Sequence, residues 1–104
     1  MSGTDPRNFT YRAVANLAFT LSANDMVVNV TGMTADRIVT VPAGSADLTG
    51  RSFILVKDAA AFAAVITPAS GTIDGAASVT LAASAIHGRI IVCDGTNWFT
   101  VASF

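Results

Sequence analysis

The sequence holds no glutamate and no glutamine, and only one histidine, one cysteine, one lysine and one tryptophan. Each shortage removes a class of chemistry. A single histidine rules out a multi-histidine metal site within one chain, and His87 with Cys93 is too small a ligand set for zinc. A single cysteine forms no internal disulfide, a usage that suits a cytosolic origin. Charged residues make up 12% of the chain, about half the usual share. The formal charge is −1, and the five arginines and one lysine are scattered, so no basic stripe follows a phosphate backbone and nucleic acid is not an expected partner. No apolar run approaches the roughly 18 to 20 residues of a membrane span, and residues 1–7 lack the apolar core of a signal peptide. The chain reads as soluble, made in the cytoplasm, without a membrane partner.

What is present points to strands. All seven acidic residues are aspartate, a turn and cap residue, and Val, Ile and Thr are abundant. The nineteen alanines are discordant: alanine is a poor strand residue, but it fits where sheets or subunits approach closely. Hydrophobic residues reach 52%. In a chain of 104 residues that excess is expected to fill one core and to face partner subunits.

The chain divides into an extended N-terminal arm, 1–14, and a single domain, 15–104. About eight short apolar segments separated by turn residues predict an all-β fold, an antiparallel β-sandwich or jelly-roll-like barrel. Leu17 to Leu21 and Met26 to Val30 flank a turn and read as an opening hairpin. Asp36 to Val41 ends at Pro42, and Arg51 to Asp58 is apolar enough to be a central strand. Ala59 to Ala64 leaves a helical turn open by propensity. Asp94-Gly95 between two apolar runs predicts a closing hairpin that leads into Trp98.

Candidate chemistry is sparse. Asp25, Asp36, Asp47, Asp58, Asp74 and Asp94 each adjoin a predicted turn or strand end, where capping is the expected role. His87, in a predicted loop before Gly88, has no Gly-x-Ser-x-Gly elbow to serve. Cys93 reads as a small buried hydrophobe, and Asp94-Gly95-Thr96-Asn97 lacks the spacing of an EF-hand loop. No catalytic, cofactor or metal residue is assigned, and an enzyme is not expected.

Gly50-Arg51, Lys57-Asp58, Ile66-Thr67-Pro68, Gly71-Thr72-Ile73-Asp74-Gly75, Ser78, Leu81 and Asp94-Gly95-Thr96-Asn97-Trp98 occur in an order that resembles a recurring module of tailed-bacteriophage virion proteins. The resemblance runs from about Asp36 to Ala102. It implies a β-sandwich virion component assembled as a homotrimer, either a small head-decoration (cement) protein or a tail-fibre module. The chain's length favours the head, because a fibre knob normally closes a much longer chain. Under that expectation the major capsid protein and further copies of this chain are the partners, and the outer surface of the phage head is the location. Phe9, Tyr11 and Arg12, an aromatic and basic group in the arm, are expected to touch capsid or a neighbouring subunit. Trp98 is expected to cover the end of a core or to sit at a subunit seam. A receptor- or glycan-binding knob of a tail fibre is the alternative.

Overall fold

The computed structural model describes residues 10–22, 25–59 and 61–104. They form nine strands: β1 (Thr10–Ala15), β2 (Phe19–Thr20), β3 (Asp25–Thr31), β4 (Arg37–Val41), β5 (Ser52–Lys57), β6 (Ala64–Pro68), β7 (Val79–Leu81), β8 (His87–Cys93) and β9 (Trp98–Ser103). One turn of 3₁₀ helix, Ala46–Leu48, lies between β4 and β5. The all-β, sandwich-like architecture is as expected: a five-stranded sheet in the order β1-β3-β5-β8-β9 faces a four-stranded sheet in the order β2-β4-β6-β7.

The pairing is mixed, where the sequence predicts it antiparallel. From β1 to β6 the chain alternates between the two sheets, and each strand pairs in parallel with the one two places earlier: β1 with β3, β3 with β5, β2 with β4, and β4 with β6. The first six strands are therefore a two-layer parallel coil. Only the last three strands run antiparallel, β7 on β6, β8 on β5 and β9 on β8.

The opening hairpin is corrected for the same reason. β2 belongs to the four-stranded sheet and β3 to the other, so the turn between them is an arch across the core. Leu21 donates its N–H to the Thr40 carbonyl at 2.9 Å. The Asp25 carboxylate closes the arch by accepting from the Ser22 N–H at 2.8 Å. Of the expected arm, 1–9 lies outside the described residues, and from Thr10 the chain is the edge strand of the five-stranded sheet. The segment 61–63 is bent rather than helical and leads into β6.

Strand alternation builds the core. Val28 and Val30 of β3, Phe53 and Leu55 of β5, and Ile91 and Cys93 of β8 face Val39 and Val41 of β4, Ala64 and Ile66 of β6, and Leu81 of β7, all buried. Burying each large side chain contributes about 1.5 to 3 kcal/mol. Trp98 starts β9 with its ring in this layer, 5.4 Å from the Phe53 ring. Its Nε1–H donates to the Pro42 carbonyl at 2.8 Å, so the one polar atom of the ring is satisfied.

Candidate association surface

The polar residues that the sequence singles out are spent on the scaffold. The Asp36 carboxylate accepts from the Ala63 N–H at 2.9 Å and that of Asp58 from the Gly32 N–H at 2.8 Å. Each bond ties a loop of one coil turn to the equivalent loop of the next. Asn16, at φ 53°, does the same: its Oδ1 accepts from the Thr34 N–H and from the Arg37 guanidinium, both at 2.8 Å. Lys57 is fully buried, and its amine donates to the carbonyls of Asp58 and Ala85. His87 lies in β8 opposite Lys57, not in the expected loop.

Thr72, Asp74, Asn97 and Trp98 meet at one end of the sandwich. The Trp98 N–H donates to the Thr72 carbonyl and the Asp74 N–H to the Trp98 carbonyl, both at 3.0 Å. The Thr72 N–H donates to Asn97 Oδ1. The expected closing hairpin is present: Asp94 Oδ1 accepts from the N–H groups of Thr96 and Asn97 at 2.9 and 2.8 Å. Those bonds, from Asn97 first and Thr96 second, hold the Asp94 carboxyl below its ordinary pKa. Arg51 is anchored by the carbonyls of Ser52 and Asp25 and stacks over the Phe53 ring at 4.2 Å. Partial burial lowers its pKa, and the Asp25 charge opposes that shift. Among the described residues no three His, Cys or Asp side chains are grouped to hold a metal ion.

The expected contact residues separate. Phe9 lies outside the described residues. Tyr11 and Arg12, neighbours in β1, point to opposite faces of the sheet. Arg12 turns inward, binds the Asp25 carboxylate at 2.7 Å and lies over the Phe19 ring at 5.1 Å. Tyr11 faces out and is 63% exposed. Of the two places expected for Trp98, it takes the core, with 1% of its surface exposed.

What the interior does not use is the outer face of the five-stranded sheet. The register puts Tyr11, Val27, Ile54, Ile90 and Ala102 in one row across all five strands. The next row runs Ala13, Asn29, Val56, Gly88, and Phe104 closes it, since Phe104 and Gly88 exchange both backbone hydrogen bonds. On the other side of the central row lie Ser52, Val92 and Phe99. None of these side chains is charged. A Cβ on Gly88 would come within 2.5 Å of the Phe104 ring, so that ring lies over the glycine and remains 58% exposed. Sequence reasoning missed this face because it took the strands for antiparallel and so had no register to align them.

Comparison with protein-family models, curated proteins and solved structures found no match. The outer face of the four-stranded sheet is also uncharged but more hydroxylic, with Thr20, Thr40 and Thr67 in one row beside Ile38, Val65 and Thr80. Described charges therefore sit at the ends of the sandwich and between its layers.

Proposed function

We propose that this chain is a structural protein of a bacteriophage particle, a head-decoration protein that acts as a homotrimer on the outer shell and bridges major capsid subunits. The observation that carries the reading is the division of labour among the side chains. Five aspartates bond loops and strand ends to one another, while the outer face of the five-stranded sheet carries no charged side chain and is mostly apolar. Such a surface serves binding between proteins. The ordered resemblance of Asp36 to Ala102 to phage virion modules supplies the particle and the trimer. Each bound trimer stabilises the assembled shell over its disassembled state by mass action.

One observation favours a tail-fibre module as the second reading. β9 is met by the Ile73–Asp74 segment along its start, whereas β1 and β2 at the opposite end have no strand beyond them among the described residues. That end of a parallel coil has the geometry to accept a further turn.

Co-sedimentation separates the two readings. Purified protein mixed with phage heads lacking their decoration layer is expected to pellet with the heads and to raise their disassembly temperature. Protein left in the supernatant, with binding to tails instead, would move the chain to the fibre class.

A further inference from the structure

The outer face of the five-stranded sheet must be either tolerated in solvent or covered. Strands about 4.8 Å apart, each with three outward residues about 7 Å apart, give a plane on the order of 500 Å². The plane is mostly apolar, interrupted by Asn29 and Ser52, and a contiguous apolar patch approaching that size is at the upper end of what soluble monomers expose. It is more than half of the roughly 800 Å² per partner of a standard interface.

The chemistry decides what covers it. A surface that meets the shell only on assembly must stay in water until then, which favours charge and hydrogen-bonding groups at its rim. A surface closed once, soon after synthesis, carries no such requirement, and permanent homo-oligomer interfaces are accordingly more apolar and poorer in charge. The central row has no charge, no amide and one hydroxyl, that of Tyr11, which already accepts from Asn29 Nδ2 at 3.3 Å. Its relief is self-complementary in kind. The exposed rings of Phe99, Phe104 and Tyr11 stand above the sheet, and Ala13 and Ala102 leave low ground beside them.

We infer that a second copy of this chain covers the outer face of the five-stranded sheet, with Ile54 and Ile90 at the centre of the contact. The inference deepens the proposed function and rests on its self-association. It leaves the four-stranded sheet, with its threonine row, free for other partners.

Light scattering coupled to size exclusion tests it on the intact chain. The wild type is expected at a multiple of 10.6 kDa. Ile90→Asp is expected to lose that multiple and elute as a monomer with an unchanged β circular-dichroism spectrum, while Thr67→Asp on the other sheet keeps it. If Ile90→Asp does not fold, Ser52→Cys and Thr67→Cys answer the question by maleimide labelling: the thiol at 52 is shielded and the thiol at 67 reacts freely. A wild-type monomer, an oligomeric Ile90→Asp, or equal labelling at both positions would overturn the inference. Head binding by a wild-type monomer overturns the inference and the trimer but leaves the head-decoration role standing. Copies associated through this face without head binding sink only the decoration reading.

Discussion

Asp74 holds Thr100 by both of its available groups: Oδ1 accepts from the Thr100 N–H at 2.7 Å and Oδ2 from the Thr100 hydroxyl at 2.6 Å. Asp74 sits at φ 54° in the loop after β6, and Thr100 lies in β9, so the pair fastens loop to strand. Oδ2 also meets the Arg89 guanidinium at 3.3 Å. Asp74→Ala leaves the Thr100 N–H and Arg89 without this partner and is expected to cost about 1 to 3 kcal/mol. Asp74→Asn, which keeps one carbonyl oxygen as an acceptor, is expected to cost less. Urea midpoints of the three proteins check the order.

Asp94 predicts an acid dependence. Its carboxyl is held below its ordinary pKa by the N–H groups of Asn97 and Thr96, so the folded form binds its proton more weakly than the unfolded form. The stabilisation is fully present above the unfolded value and is lost as pH falls through the folded one. Asp94→Ala is expected to lower the melting temperature at neutral pH, with the gap to wild type closing in strong acid. A gap that stays constant with pH would show that the charge plays no part.

Gly44 lies against the Thr96 carbonyl so closely that a Cβ would overlap it. Nothing there is a flexible side-chain end, so the loop backbone must shift. Gly44→Ala is expected to destabilise by about 1 to 3 kcal/mol, the usual cost of overpacking, read as a lowered denaturant midpoint. Gly32→Ala is the informative contrast: its Cβ would meet nothing within 4 Å, and only its φ of +61° opposes the change.

Trp98 is the sole tryptophan and is 1% exposed. Its emission is expected to be blue-shifted and insensitive to iodide in the folded protein, and to shift to the red on unfolding. Trp98→Phe removes the bond to Pro42 and part of the ring, and is expected to cost about 1 to 3 kcal/mol, because the Pro42 carbonyl loses its donor. Quenching by iodide in the native state would contradict the core position.

The parts of this fold that local chemistry dictates are legible in the sequence. Asp94-Gly95 specifies its hairpin because the side chain and the positive φ of glycine, +105° here, close the turn within four residues. The run Ser52–Lys57 reads as central because alternate residues are buried against the other sheet while the rest are half-covered by neighbouring strands. Partner choice is a different matter. The alternation in β3 and β4 reports which side faces the core, and that is the same for a hairpin and for a parallel coil, so the sequence alone does not tell an arch between β2 and β3 from a hairpin turn. β1 was hidden by Arg12, a charged residue at an inward position, which is accommodated there by Asp25. The association surface was illegible for a third reason: no residue of it is unusual alone, and it appears only when five strands are set in register.

A cryo-electron-microscopy reconstruction of the parent particle tests the central claim most directly. The account predicts trimeric density of this fold at local threefold positions on the outside of the head. Density confined to the tail, or none on the particle, would contradict it.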